Sequence, residues 1–352
     1  MKTPYFILHQ TKLEKNLAKL QEIEQQSGVK ILHTIKSFNQ ESVLPLIASN
    51  LSGMSIGNIN ELTMAQNAHA QHIHLYAPAY KKEDLKSIID KVSTLSFNSL
   101  SQWESLHHLS TKTSMGLRIN PRLYLPILDH CNPNLDYSRL GVEYMEFIDF
   151  FDKNSDKFKR LEGLHFHALF QSSEMGTILL LDHILEYYQT ILPQLKWINL
   201  GGGHQFTSDN FSVNNFSKAV KNFQDLYPKI QLYFEPGEAV TKGCGEFISS
   251  VLDVIHIAGV NVLILDTSTE THLLDVAIVN QRLRVKGTQS ESTPYFYELS
   301  GNSCIQGDLI GEYFFQKPLS VGDTVIFEDM MGYSMVKMTE FNGIEKASFI
   351  LQ

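Results

Sequence analysis

Five short apolar runs in this chain carry, or end on, side chains that can do chemistry. Residues 31–35 stop at Lys36, and the run 115–119 contains Arg118. The run 163–168 contains His165 and His167. The run 197–200 stops at Gly201-Gly202-Gly203-His204, and 231–234 stops at Glu235-Pro236-Gly237-Glu238. A lysine that leaves a strand end partly desolvated has a depressed pKa, and its free amine is a nucleophile. Consecutive bare glycines let backbone N–H groups close on an anion such as phosphate, although tight turns also need glycine. Histidines two apart on a strand share a face, as zinc ligands do in some barrel hydrolases, or as internally satisfied core residues do. Glu235 at a strand end can be an ion-pair partner. Most lysines are surface residues, so Lys36 alone decides nothing.

These residues meet only if the runs are parallel strands ending on one rim. An apolar run, a polar turn and a helical pattern repeat along the chain, with runs at 31–35, 51–56, 73–77, 94–98, 115–119, 163–168, 197–200 and 231–234. Eight strands alternating with helices predict an α/β fold, a closed (β/α)8 TIM-type barrel, whose function collects at the carboxyl ends of the strands. An open doubly wound sheet is the alternative. Thr11-x-x-Glu14, Asn58-x-x-Glu61 and Ser101-x-x-Glu104 have the form of helix-opening capping boxes. Leu13, Leu17, Leu20 and Ile23 follow at helical spacing, Gly28 sits where a left-handed terminal residue belongs, and 176–192 reads as an amphipathic helix. Beyond about residue 245 the runs 247–257, 261–266, 276–286, 294–299 and 323–328 are β-rich. They predict a C-terminal β domain, sandwich or barrel-like. The expected division is a barrel at 10–241 and a β domain at 242–352 that recruits the N-terminal strand within 1–9.

With 352 residues, 43% of them hydrophobic, the chain can build a large core. A net charge of −9 argues against nucleic acid as a partner and suits a cationic small molecule. Three distant cysteines, Cys131, Cys244 and Cys304, fit a reducing compartment. No signal-peptide pattern opens the chain and no apolar run approaches a membrane span, so a cytoplasmic protein with no membrane or metal partner is expected.

Together these motifs resemble the fold-III pyridoxal phosphate enzymes, the alanine racemase and ornithine/diaminopimelate decarboxylase group, over nearly the whole chain. Within it the likeness is to the carboxynorspermidine/carboxyspermidine decarboxylases. It rests on Ser138-Arg139-Leu140-Gly141-Val142, Gly163-Leu164-His165-Phe166-His167-Ala168-Leu169, Glu235-Pro236-Gly237-Glu238-Ala239, Asp266-Thr267-Ser268, Ser303-Cys304-x-x-Gly307-Asp308 and Phe341-Asn342-Gly343. The resemblance implies that Lys36 joins the cofactor covalently and that His167 stacks on its ring. Gly201, Gly202, Gly203 and Tyr333 would hold its phosphate, with Glu235 of the Glu235-Pro236-Gly237 motif facing the ring nitrogen. It further implies that Cys304 serves a neighbouring subunit's site as proton donor, in a homodimer with shared active sites. The ornithine and diaminopimelate enzymes usually carry arginine where Glu238 stands. A carboxylate there repels phosphate and can hold a protonated amine, so Glu238, Asp275 and Asp308 become candidate contacts to a carboxylated polyamine. The chain departs from the family at His33-Thr34, at Asn58 and at Phe170-Gln171.

The expected function is therefore pyridoxal phosphate-dependent decarboxylation of carboxynorspermidine or carboxyspermidine. The rivals are an ornithine- or diaminopimelate-type decarboxylase, a metal-dependent barrel hydrolase using His165, His167 and His204, and a cofactor-binding regulator without turnover.

Overall fold

The computed structural model describes residues 2–123, 125, 127 and 131–352. The chain divides into two compact units, Asn16–Val240 and Met1–Lys15 with Thr241–Gln352. In chain order the first elements are β1 (Tyr5–Leu8), α1 (Gln10–Ser27), β2 (Lys30–Thr34), α2 (Leu44–Asn50), β3 (Gly53–Ile56), α3 (Ile59–Asn67), β4 (Ile73–Tyr76), α4 (Lys82–Ile88), β5 (Thr94–Phe97), α5 (Leu100–Leu106) and β6 (Ser114–Asn120). Then come β7 (Val142–Glu143), α6 (Tyr144–Lys153), β8 (Leu161–His165), α7 (Glu174–Tyr187), β9 (Trp197–Asn199), α8 (Val213–Leu226), β10 (Gln231–Phe234) and α9 (Glu238–Thr241).

The larger unit is the closed parallel barrel. Its strands run β5-β4-β3-β2-β10-β9-β8-β6, and a β5–β6 pairing closes the ring. These are the eight strands that the apolar runs predicted. A parallel strand is covered on both faces, so it reads as a continuous apolar run rather than an alternating one. The interior is tightly filled. Gly116 and Gly163 have no side chain because Trp197 lies across them; a Cβ on Gly163 would meet the indole at 2.0 Å.

Two helix starts differ from the sequence expectation. α1 begins at Gln10, so Thr11 lies inside it and Glu14 accepts a bond from Gln10 Nε2 at 2.8 Å. α5 is capped by Ser99, which accepts from Gln102 N, and Gln102 Oε1 accepts from Asn98 N. A reciprocal cap is present there, two residues before the one read at Ser101. Asn58 caps α3 as expected, accepting from Asn60 N and Glu61 N, and Glu61 Oε2 takes Gly57 N at 2.7 Å.

The smaller unit holds β11 (Gly245–Ile257), β12 (Val260–Leu265), α10 (Leu274–Val279), β13 (Thr288–Gln289), β14 (Phe296–Ser300), β15 (Leu309–Phe315), β16 (Thr324–Glu328), α11 (Tyr333–Val336) and β17 (Ser348–Leu351). Its curled sheet runs β13-β15-β14-β12-β11-β1-β17, with β16 also on β11. β1 pairs antiparallel with β11 and parallel with β17. The run 276–286, expected as a strand, instead starts as the helix α10, which stops where Asn280 turns left-handed at φ +50°. Phe6, Leu8, Phe247, Leu263, Leu265, Leu299 and Phe327 are its fully buried core.

Candidate active site

Lys36 follows β2 in a short 3₁₀ turn, Ile35–Ser37. Three side chains hold that turn. His33 is fully buried, with Nε2 2.8 Å from the Phe38 carbonyl. Thr34 Oγ1 donates to the Glu235 carbonyl at 2.9 Å, and Ser37 Oγ to the Thr34 carbonyl at 2.7 Å. His33 and Thr34, unusual for the resembling family, are thus built into the support of Lys36. The Lys36 stem is open to a cavity of about 390 Å³ that Arg118, Tyr137, Arg139, His167 and Phe170 also line. Lys36 is exposed to that cavity, with protein atoms dense around it. Burial lowers its pKa below the ordinary lysine value; Glu235 and Glu61 oppose that, and Arg118 adds to it.

Glu235 is 6% exposed. Asn199, at the end of β9, binds it to the glycine turn. Its Nδ2 donates to Glu235 Oε1 at 2.7 Å, and its Oδ1 accepts from Gly201 N at 2.8 Å. Glu235 N in turn donates to the Gly201 carbonyl at 2.8 Å. Burial raises the Glu235 pKa; Asn199, Lys36, Ser55 and Arg118 pull it down. Gly201 and Gly203 have φ +66° and +87°, and a Cβ on Gly203 would stand 2.1 Å from the Leu169 carbonyl. The turn therefore accepts only bare backbone on both counts. We expect Gly203→Ala to lose about 2 kcal/mol of stability, read by thermal denaturation; an unchanged Tm would contradict the strain.

His167 is half-buried, and burial, then Arg118 and Lys36, push it well below the ordinary histidine range. Gly202 N lies 3.4 Å from its Nδ1. Arg118 donates to the His167 carbonyl at 3.3 Å and stacks 4.7 Å over the Tyr76 ring. His165 is fully buried, and neither ring nitrogen has a hydrogen-bond partner among the described residues. His165, His167 and Glu235 offer ligand atoms within 4.8 Å of one another. Two cations, Lys36 and Arg118, act on both histidines, so the local field favours anions over a metal ion. His204 packs away against Phe206 and Phe234, with ring centroids 5.1 and 4.8 Å apart.

Lys36, His167, Gly201–Gly203 and Glu235 thus stand together at the carboxyl ends of the barrel strands. Gly237 and Glu238 open α9 on the same rim, where Gln171 Nε2 lies 3.5 Å from Glu238 Oε2. Asn199, Ser55, Tyr76 and His74 were not singled out from sequence. The one linear signal was a polar residue, Asn199, ending an apolar strand just before three glycines.

The other four candidates belong to the second unit. Cys304 is exposed. Asp308 is 2% exposed and accepts from Thr269 N at 2.7 Å, Thr269 Oγ1 at 2.8 Å and Ser303 N at 3.1 Å. Asp308, expected as a ligand contact, thus ties Thr269 to Ser303, the neighbour of Cys304. Asp275 is ion-paired with Lys337, whose ammonium lies 5.3 Å from the Tyr333 ring.

The family model "Pyridoxal-dependent decarboxylase, pyridoxal binding domain" matches residues 11–242. The chain is 34% identical to a carboxynorspermidine/carboxyspermidine decarboxylase of Campylobacter jejuni, over 100% of this chain and 93% of that one. It is 35% identical to a carboxyaminopropylagmatine decarboxylase of Synechocystis, over 97% and 88%. A crystal structure of carboxynorspermidine decarboxylase from C. jejuni, complexed with norspermidine, superposes with a TM-score of 0.91 at 33% identity, covering 100% of this chain and 94% of that one.

Proposed function

The chain belongs to the pyridoxal-dependent decarboxylase family, and we propose that its substrate is a carboxylated polyamine, carboxynorspermidine or carboxyspermidine, released as norspermidine or spermidine. It is a decarboxylase with pyridoxal phosphate as cofactor. The observation that carries the substrate reading is full-length identity above 30% to an enzyme named for those substrates.

The residues present fit the cofactor. Gly201 and Gly203 keep the turn as bare backbone at positive φ, the form in which N–H groups can gather on a phosphate. Glu235 is a buried carboxylate suited to a protonated ring nitrogen, and the amine of Lys36, open to the cavity, suits an aldehyde. We assign Lys36 to covalent attachment, His167 to the ring face, Gly201, Gly202, Gly203 and Tyr333 to the phosphate, and Glu235, in the turn that Gly237 completes, to the ring nitrogen. When bound, pyridoxal phosphate supplies an electron sink for the pair left when the carbon–carboxylate bond breaks and carbon dioxide departs. Glu235 serves that step by favouring the charged form of the nitrogen. Cys304 is assigned to returning a proton to the substrate carbon, from the second copy in a homodimer. Asp308, which also bonds Thr269 and Ser303, is assigned to a substrate contact. Glu238 and Asp275 are assigned to substrate ammonium groups, which the net charge of −9 also attracts. A cytoplasmic location fits the odd number and wide spacing of the three cysteines; no helix among the described residues is long and apolar enough to cross a membrane.

A second substrate has its own support, the 35% identity to a carboxyaminopropylagmatine decarboxylase. Purified protein loaded with cofactor and given each substrate, with products identified by mass, separates the two. We expect kcat/KM for carboxynorspermidine or carboxyspermidine at least about tenfold above that for ornithine and diaminopimelate. Preferred turnover of carboxyaminopropylagmatine would transfer the assignment to the guanidinium substrate, and preferred turnover of ornithine or diaminopimelate would overturn it.

A further inference from the structure

A hydrogen-bonded column crosses the barrel interior beneath Glu235, where apolar layers usually pack. His72 lies just before β4 and is half-buried, stacked on Tyr233 at 4.7 Å between centroids. Its Nε2 is 2.9 Å from Thr94 Oγ1. The same hydroxyl is 2.8 Å from His74 Nδ1. The other nitrogen of His74, Nε2, is 3.2 Å from Ser96 Oγ and 3.8 Å from Glu235 Oε1. His74 is 1% exposed, and burial pushes it down to about 3, and His72 to about 4, so both are neutral at physiological pH. The contact with Glu235 is therefore a dipole facing a carboxylate and not an ion pair.

Proton counting sets the direction of the column. A hydroxyl has a single hydrogen, so it donates to at most one of two neutral imidazole nitrogens. In one arrangement His72 Nε2–H donates to Thr94, Thr94 donates to His74 Nδ1, and His74 Nε2–H points toward Ser96 and Glu235. In the reverse arrangement the lone pair of His74 Nε2 faces the carboxylate. A negative charge in a low-dielectric interior selects the first.

We propose that His74, oriented through Thr94 by His72, is a positioning residue whose Nε2–H, bonded to Ser96 Oγ, turns its dipole toward the Glu235 carboxylate 3.8 Å away and so favours the ionised form. This rests on the assignment of Glu235 to the cofactor's ring nitrogen. The other groups acting on Glu235 are Asn199, Ser55, the cations Lys36 and Arg118, and the Tyr76 hydroxyl. His165 and His167 stand beside it on the β8 side. None of these belongs to the column, so cutting the column leaves them in place.

The first measurement is the tautomer of His74, read from nitrogen-15 shifts of the protein without cofactor. The Nε2–H form is expected, and the Nδ1–H form would overturn the proposal. The second is the pH profile of kcat/KM in the loaded enzyme. His74→Phe keeps a ring and removes the N–H. The acid limb, which marks ionisation of Glu235, should move up by about one pH unit. If that variant does not fold, Thr94→Val should move the limb the same way by roughly half as much, with Thr94→Ser restoring it. A merely structural column would lower Tm and leave the limb where it was, and that result also overturns the proposal. Glu235→Gln separates the two layers: full turnover in that variant sinks the reading of Glu235 itself, whereas lost turnover with an unmoved Thr94→Val limb sinks only the column.

Discussion

Lys36→Ala should yield a folded protein that no longer holds the cofactor covalently and whose turnover falls by about a thousandfold or more. The size follows from position. Lys36 ends the first barrel strand in a turn fixed by His33, Thr34 and Ser37, and its stem lines an open cavity rather than the core. Truncation therefore removes little packing, and Tm should change by only about a degree. What it does remove is an amine whose protonation burial already disfavours, so the residue is poised as a nucleophile. It also removes one of the cations that lower the Glu235 pKa, which penalises the ring-nitrogen contact as well. The visible absorbance of the loaded protein and single-turnover decarboxylation are the two readouts. Retained absorbance at the wild-type wavelength, resistant to denaturation, would place the attachment elsewhere.

Much of the fold was legible because parallel barrel strands, covered on both faces, leave uninterrupted apolar runs. Run 231–234 became β10 residue for residue. Helix starts were harder. Ser99 and Ser101 are both plausible caps by type, and the choice between them depends on where the β5 strand releases the chain. The stretch 276–286 misled because Val276, Ile278 and Val279 suit a strand, yet the segment forms a short helix ended by Asn280. At the rim, Lys36, the glycine turn and Glu235 were visible as breaks at the ends of apolar runs. Asn199, Ser55 and His74 were not. Their side chains act across strands, and the inter-strand register that brings Asn199 to Glu235, or His74 to Thr94, is absent from any linear motif. Asp308 shows the converse. The family resemblance marked it as a ligand contact, and only the geometry reveals that it also accepts hydrogen bonds from Thr269 and Ser303.

Glu235→Gln should abolish most turnover and at the same time stabilise the cofactor-free protein at neutral pH. The two effects share one cause. Burial raises the Glu235 pKa above its unfolded value despite the donors and cations around it. A carboxyl whose folded pKa is raised binds its proton more tightly in the folded state, so its favourable contribution exists below the unfolded pKa and is lost as pH rises through the folded value. Wherever the pH exceeds that raised value, the ionised carboxylate thus destabilises the empty fold. Glutamine keeps the shape and an oxygen for Asn199 Nδ2, without the charge. The gain at pH 7 should be about 1 kcal/mol, roughly 2 °C in Tm, and it should vanish near pH 4, where the wild-type carboxyl is protonated as well. Turnover should fall by about a hundredfold or more, because the glutamine cannot favour the protonated ring nitrogen. A wild-type fold that is more stable than the variant at pH 7, with the cofactor absent, would mean that the surrounding donors outweigh burial at this site. The strain of keeping a charge in the barrel interior would then be no part of how the enzyme prepares for its cofactor.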